Sequence, residues 1–252
     1  MSPSSPGAQY DSKSDVAPPV VFVHGWGSTC ARTWAGSSLD RNLVAAGREI
    51  HFLDLLGHGT SSAPHAPAEY AHMADDLAAR LPGDQDTVLD AVGFSLGGKL
   101  LLQLAATYPG RFRRVVIAGV GDNLFRPENG TAVAELLAVG PTGTAPEVLR
   151  AILEEAFESG NDLRALAAAI QRPSSPLTPE NLRAVTCEVL LIAGDSDVIA
   201  GSAETLEASL KRVERIVVKE LNHAETPHSA QVQNAARDFL EGSSDHDGPA
   251  AV

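Results

Sequence analysis

The sequence predicts an α/β fold: a mostly parallel sheet of about six strands, with helices on both faces and a small helical cap. Short apolar runs alternate with longer segments of helical periodicity, which is the pattern of right-handed strand–helix–strand crossovers. Most of the runs are dense in Val, Ile and Leu, as strands covered on both faces are. One long stretch, 121–183, has helical periodicity and no convincing strand, and an insertion of that length predicts a cap rather than a loop.

The predicted strands, in chain order, are Val20–Val23, Ile50–Leu53, Thr87–Val92, Arg114–Ala118, Glu188–Ala193 and Arg215–Lys219. Helical patterns between the strands cover Leu39–Ala46, Tyr70–Leu81, Lys99–Tyr108 and Ala230–Leu240, and those of the cap cover Ala132–Val139, Pro146–Glu158 and Asp162–Ile170. The expected organisation is therefore a core made of 18–120 and 184–241, with the cap inserted at 121–183.

The two ends of the chain, 1–17 and 242–252, are rich in Ser, Pro, Gly and Asp. They hold too little apolar surface to offset the entropy of ordering, so we expect both tails to be disordered. The two cysteines, Cys30 and Cys187, lack metal-ligand spacing and are expected to be free thiols rather than a disulfide.

Composition restricts the partners and the location of the protein. The net charge of −13 argues against binding to a nucleic-acid backbone. No apolar run approaches the roughly 18 residues that a membrane span needs, and the N-terminal residues lack the pattern of a secretion signal. We therefore expect a cytoplasmic protein that binds neither nucleic acid nor membrane; the sequence makes no prediction of its oligomeric state.

The segment Gly93-Phe94-Ser95-Leu96-Gly97 has the form G-x-S-x-G, which alone occurs often by chance. Its context is more specific, because it follows a predicted strand directly and opens a predicted helix, as a nucleophile elbow does. Glycines on both sides of Ser95 permit a strained turn, and the helix N-terminus offers free N–H groups to a developing oxyanion. Ser95 is therefore the predicted nucleophile.

A second glycine-rich segment, His24-Gly25-Trp26-Gly27, lies at the end of the first predicted strand. Its glycines would let the backbone approach a substrate closely. The backbone N–H groups of Trp26 and Leu96 are the expected oxyanion hole. For His24 a role in stabilising the turn is favoured over a role as acid or base.

Together these segments resemble the α/β-hydrolase fold family, in its compact, lidded, esterase-like branch. The matching pieces appear in the family's order and occupy most of the chain outside the cap and tails. They are HGWG at 24–27, DLLGHGTS at 54–61, GFSLGG at 93–98, AGDSD at 193–197 and LNHAETP at 221–227. The resemblance implies that His58, in the second piece, belongs to a structural turn.

The resemblance and the chain order Ser…Asp/Glu…His indicate the remaining members of a catalytic triad. The family pattern favours Asp197 as the acid, with Asp195 as an exposed turn residue and Asp122 as a distant alternative. The base is expected to be His223, in the loop between the last strand and the last helix. His228, five residues later, is its only competitor.

Two departures from the family pattern affect the expected geometry. Asn222 stands where the family often has glycine, which would alter the turn before His223. The family's fuller fold has two strands ahead of the strand that ends in HGWG. Only a short polar segment precedes that strand here, so we expect those two strands to be missing or rudimentary.

The resemblance implies a serine hydrolase that cleaves a small or medium carboxylic ester through an acyl-enzyme intermediate, without a metal or organic cofactor. Thioester, lactone or C–C hydrolysis and perhydrolysis use the same triad and stay open, as does a receptor-like protein that binds a ligand with little turnover. Besides Trp26 and Leu96, the residues expected to line the substrate pocket are Ile199, Phe125, Leu136, Leu137, Leu153 and Phe157.

Overall fold

The computed structural model describes residues 17–128, 130–140 and 145–242. Their centre is a six-stranded, all-parallel sheet with the strand order β2-β1-β3-β4-β5-β6. The strands are β1 (Val20–Val23), β2 (Ile50–Leu53), β3 (Leu89–Phe94), β4 (Phe112–Ala118), β5 (Glu188–Gly194) and β6 (Val213–Val218). The predicted fold class and strand number are confirmed.

Helices connect the strands and cover both faces of the sheet. They are α1 (Cys30–Thr33), α2 (Ser38–Ala45), α3 (Met73–Ala79), α4 (Leu96–Thr107), α5 (Thr131–Val139), α6 (Glu147–Glu158), α7 (Leu163–Ile170), α8 (Pro179–Leu182), α9 (Glu204–Ser209) and α10 (Ala230–Glu241). Short 3₁₀ helices occur at Pro67–Tyr70, Asp122–Phe125 and Thr226–His228. The order of strands reverses between β1 and β3, so their carboxyl ends form the crevice at which α/β sheets bind ligands.

Buried side chains form one apolar cluster on each face of the sheet. The larger one joins alternate side chains of the central strands, such as Val115 and Ile117, to α3, α4 and the helices of 121–183. The smaller one joins Phe22 and Val116 on the opposite face to α2 and α10. Since β3 is buried along its whole length, the turn that follows it is held from both sides.

The bounds of most elements differ by a few residues from the predicted ones, and three differences are informative. Strand β3 begins and ends two residues later than the predicted Thr87–Val92, so the sheet reaches Phe94, the residue before Ser95. The single helix expected at Tyr70–Leu81 is a 3₁₀ turn followed by the shorter α3. Helix α9 had no predicted counterpart; its six residues are too short for a clear helical period.

Residues 121–183, called the cap segment below, contain α5 to α8 and no strand among those that the structure describes. Polar contacts tie this segment to the loop after β1. The indole of Trp26 donates a hydrogen bond to the carbonyl of Leu166 at 3.1 Å, and Ser28 donates to the Glu155 carboxylate at 2.6 Å. The Asn161 amide donates to the carbonyls of Gly27 and Ser28. The segment therefore lies against the end of the sheet that carries Ser95.

Both cysteines are free and buried, as expected. Burial raises the pKa of both thiols, that of Cys187 to about 11. The predicted disordered tails, 1–17 and 242–252, lie outside the described residues except for Ala17 and Gly242. Across the described ranges, no helix has the length and apolar character needed to cross a membrane.

Candidate active site

Ser95 stands on a sharp turn between β3 and α4, with φ 49° and ψ −115°. Such a conformation is strained for a residue with a side chain and persists only where the surroundings enforce it. The Ser95 N–H donates to the carbonyl of Ala118 at 2.9 Å, which ties the turn to the neighbouring strand. A Cβ on Gly97 would lie 2.5 Å from the carbonyl oxygen of His24, so only glycine fits directly after Leu96.

The structure brings the three predicted triad side chains together from three different strand ends. The Nε2 atom of His223 lies 3.0 Å from Ser95 Oγ, and its Nδ1 atom lies 2.8 Å from Asp197 Oδ2. An ionised carboxylate can only accept, so Nδ1 carries the proton and Nε2 of the neutral ring accepts from the Ser95 hydroxyl. This is the tautomer in which a histidine can take a proton from serine.

Packing and hydrogen bonds hold Asp197 and His223 in place. Asp197 is buried, which opposes its ionisation, but hydrogen bonds from His223 and from two backbone N–H groups more than offset this and lower the pKa of the carboxyl. Those N–H groups, of Ile199 and Ala200, both reach Oδ1, at 3.0 and 2.9 Å. The ring of His223 packs against Phe94 at a centroid distance of 4.9 Å. Asp197 is thus an anion fixed by its partners on both oxygens.

The alternative acids and base occupy other environments. Asp195 is exposed and accepts a hydrogen bond from the Glu220 N–H at 2.7 Å, as a turn residue does. Asp122 accepts from the Leu206 N–H at 2.9 Å at the start of α9. His228 is exposed at the wall of the same cavity, and the contacts of the described residues include none between it and Ser95. None of the three takes part in the Ser95–His223 chain.

The loop after β1 runs directly beside the elbow. A Cβ on Gly25 would lie 3.2 Å from Ser95 Cβ and 2.8 Å from the Phe94 ring, so the close approach of this loop depends on glycine. Among the described residues, no acceptor is found for the backbone N–H of Trp26 or of Leu96. These are the two donors expected for an oxyanion hole, and both belong to residues that line the cavity.

Two buried histidines fix this loop through neutral hydrogen bonds. His24 Nδ1 lies 2.7 Å from the adjacent carbonyl, and its Nε2 accepts from the Leu55 N–H at 3.0 Å. His58 Nε2 accepts from the Gly27 N–H at 3.0 Å while its Nδ1 faces the Leu56 carbonyl. Burial lowers the pKa of both rings, that of His58 to about 3. Both therefore serve the framework, in agreement with the expectation from sequence.

His24 also lies near Cys30 and Asp54, and the three offer ligand atoms within 4.8 Å of one another. Each of these atoms already has a protein partner. The Cys30 thiol donates to backbone carbonyls, and Asp54 accepts from the backbone N–H groups of Cys30 and Thr60. These hydrogen bonds explain why the three side chains lie together, because they stabilise the loop after β1.

A cavity of about 600 Å³ opens over Ser95, within the range of small-molecule sites. Its wall includes Ser95 and His223 together with four residues expected there from sequence: Trp26, Leu96, Ile199 and Leu153. Apolar side chains of the cap segment complete much of the wall, namely Val133, Leu149, Ile152 and Ile170. The cap segment and the core thus share one cavity.

The structure places the other four predicted pocket residues outside the lining of that cavity. Leu137 is buried in the core, and Phe125, Leu136 and Phe157 are partly buried and pack against it. The expectation for these four is corrected. In α5 and α6 apolar residues occur on more than one face, so periodicity alone does not reveal which face meets the cavity.

Sequence reasoning missed a charged part of the wall. Lys99 of α4, Arg126, Glu128 and Arg172 all line the Ser95 cavity. They are widely separated in sequence and form no recognisable motif. Lys99 offered the best available signal, because it lies one helical turn after the elbow, on the side of α4 that begins at Ser95.

A family comparison agrees with this geometry. The sequence profile described as "Alpha/beta hydrolase family" matches residues 20–237. The chain belongs to the alpha/beta hydrolase family. The match begins at the first residue of β1.

Within this alpha/beta hydrolase family, the chain is similar to curated esterases. It is 26% identical to the pimeloyl-[acyl-carrier protein] methyl ester esterase of Nitrosospira multiformis, over 82% of this chain and 88% of that protein. It is 27% identical to the enzyme of the same name from Neisseria meningitidis serogroup C, over 92% and 96% of the two chains.

Solved structures show the same fold. An esterase from Thermogutta terrifontis has a TM-score of 0.67 at 21% identity, covering 90% of each chain. MenH from S. aureus has a TM-score of 0.68 at 17% identity, covering 92% of this chain and 97% of that one. At these identities the likeness concerns the fold alone.

Proposed function

We propose that this protein is a serine hydrolase that cleaves a small or medium carboxylic ester. The observation that carries the proposal is the hydrogen-bonded chain from Ser95 Oγ through His223 to Asp197, at the wall of a cavity of about 600 Å³. The similarity to proteins named as methyl ester esterases favours an ester over the other bonds that such a triad can cleave.

In the proposed reaction, His223 takes the proton of Ser95 as the hydroxyl oxygen attacks the ester carbonyl carbon. Asp197 keeps the proton of His223 on Nδ1 and stabilises the imidazolium that forms. The N–H groups of Trp26 and Leu96 donate to the oxyanion of the tetrahedral intermediate. The intermediate collapses as His223 gives its proton to the departing alkoxide, which leaves as the alcohol.

In deacylation, water replaces the Ser95 hydroxyl as the nucleophile and Ser95 becomes the leaving group. Water enters the cavity and attacks the acyl-enzyme carbonyl while His223 removes its proton. The second tetrahedral intermediate uses the same two N–H donors and releases the carboxylic acid as Ser95 recovers its proton. Every group that takes part in these two steps comes from the core, while apolar residues of the cap segment surround the acyl chain.

The test compares wild type with Ser95→Ala on nitrophenyl acetate, butyrate and octanoate, and measures labelling by a fluorophosphonate. We expect hydrolysis and labelling by wild type and neither by the variant. Folded wild-type protein that binds these esters without hydrolysing them would instead indicate a ligand-binding protein. Hydrolysis that survives Ser95→Ala would refute the assignment of the nucleophile.

A further inference from the structure

Part of the wall of the Ser95 cavity is basic, although the protein as a whole carries a net charge of −13. Lys99 Nζ lies 2.8 Å from Glu128 Oε1, and the Arg172 guanidinium donates to the other oxygen of the same carboxylate. The side chains of Lys99, Arg172 and Glu128 are only 16%, 8% and 25% exposed. Arg126, which is exposed, lines the same wall; we call these three cations and Glu128 the basic cluster.

The charges of the basic cluster do not balance. Burial opposes the ionisation of Glu128, but Arg172 and Lys99 outweigh it and lower the pKa of the carboxyl, so Glu128 is an anion at neutral pH. It neutralises one of two nearly buried cations and leaves one positive charge in excess. In the part of the chain that the structure describes, the Arg126 side chain has no hydrogen-bond or ion-pair partner. The excess positive charge is poorly screened by water at the two nearly buried cations, so an anion in the cavity would be attracted to these residues.

The position of the basic cluster relates it to the reaction centre. The Lys99 N–H donates to the Ser95 carbonyl, one helical turn away, which places the two Cα atoms about 6 Å apart along α4. Helical side chains lean towards the N-terminus of their helix, so Lys99 leans towards the elbow. A ligand bound at Ser95 therefore needs only a short chain to reach this cluster.

Apart from Glu128, the acidic residues of the cavity wall lie on α6. Glu155 is paired with Arg32 at 2.7 Å, while Glu154 and Glu158 are exposed. An anionic group would be repelled by α6 and drawn to the basic cluster. The cavity is thus electrostatically polarised, which selects the orientation of a charged ligand as well as its sign.

We propose that the substrate is an ester whose acyl chain ends in a carboxylate, which the basic cluster binds. The inference rests on the proposed ester hydrolysis and names its substrate class: half-esters of dicarboxylic acids. A single carboxylate matches the one excess charge of the nearly buried ions. Its two oxygens can accept from Lys99 and Arg172 while Glu128 keeps both cations in place.

Binding is tested first without hydrolysis, in the Ser95→Ala protein. Calorimetry compares monomethyl adipate with methyl hexanoate, which has the same chain length and no charge. We expect the half-ester to bind at least tenfold more tightly, and Lys99→Met in the Ser95→Ala background to remove most of that preference. Equal binding of the two esters would overturn the proposal. Preferential binding of the half-ester, together with a wild type that hydrolyses neither ester, would refute only the proposed hydrolysis.

Kinetics then distinguish a substrate-binding cluster from an ion-pair network that only fastens the cap segment. We expect Lys99→Met to lower the ratio of kcat/KM for monomethyl adipate over methyl hexanoate at least tenfold. The matched control is His65→Gln, which alters another contact between core and cap segment, the one to Asp162 at 2.7 Å; neither residue lines the cavity, so this ratio should stay unchanged. An equal effect of the two variants on the ratio would overturn the proposal.

Arg126→Gln covers the case in which loss of Lys99 impairs folding. Its side chain is exposed, so the substitution should not affect stability. We expect it to raise KM for monomethyl adipate and not for methyl hexanoate, with a smaller effect than that of Lys99→Met because water screens the charge. Unchanged KM values for both esters in Arg126→Gln and in a folded Lys99→Met would refute the assignment.

Discussion

Replacing Asp197 by Asn should remove most of the ester hydrolysis, because it changes which nitrogen of His223 carries the proton. Oδ1 of Asp197 accepts hydrogen bonds from the N–H groups of Ile199 and Ala200, while Oδ2 faces His223 Nδ1 at 2.8 Å. The carboxamide of Asn has one oxygen, and the two backbone donors will hold it at the Oδ1 position. The NH₂ group must then face His223, and it can only donate.

The consequence for His223 is a change of tautomer. A donor at the Oδ2 position requires Nδ1 to accept, so the ring proton moves to Nε2, where it points at Ser95 Oγ. In that form His223 is unable to take the serine proton. In a serine-protease triad the same substitution lowers kcat about 10⁴-fold, and we expect a loss of that order here. At 1.36 kcal/mol for each factor of ten, this corresponds to about 5.4 kcal/mol in the activation barrier.

The assay is steady-state hydrolysis of nitrophenyl acetate by wild type, Asp197→Asn and Asp195→Asn. Asp195 is exposed and outside the Ser95–His223 chain, so its variant is the matched control and should stay within about twofold of wild type. Circular dichroism and thermal unfolding verify that both variants are folded. A loss below tenfold in folded Asp197→Asn would refute the tautomer argument, and Asp122→Asn would then be the variant to measure.

The other predictions concern the elbow, the cavity wall and the loop after β1. Ser95→Gly should abolish ester hydrolysis and raise the free energy of unfolding by about 1 kcal/mol, since glycine tolerates a φ of 49°. If urea denaturation shows a lower free energy of unfolding, the backbone at Ser95 is not strained. Ile152→Ala should shift preference towards longer acyl chains, whereas Phe157→Ala, outside the lining, should not, and the ester panel tests the contrast. His58→Leu leaves the Gly27 N–H without its acceptor, so kcat should fall on the order of tenfold with little change in KM; an effect on KM alone would count against a positioning role.

The sequence predicted the sheet well because its signals are local. Most strands are short apolar runs, such as Val20–Val23 and Phe112–Ala118, in which β-branched and aromatic residues are frequent. The proposed triad was accessible for a related reason: Ser95 follows a strand, and the other two members lie in loops whose chain order is informative. Local pattern and chain order were enough for these residues.

The rest of the site depends on contacts between distant parts of the chain. Lys99, Glu128 and Arg172 meet only because the segment before α5 and the segment after α7 both come close to α4. The residues around each of them give no sequence signal of the contact. The sequence also does not show which face of α6 meets the cavity: Leu153 lines it and Phe157 does not. Both are apolar and both lie on the same amphipathic helix, so only tertiary packing separates them.

Trp26 connects the cap segment to the proposed reaction centre. Its backbone N–H is one of the two proposed oxyanion donors, while its indole donates to the carbonyl of Leu166 in α7. The next residue, Gly27, is held by the core through His58 Nε2 and by the cap segment through Asn161. A displacement of α7 would therefore move the same short loop that carries the proposed oxyanion donor. Substitutions in the cap segment should change kcat as well as substrate preference when they move α7, and substrate preference alone when they only reshape the wall formed by α6.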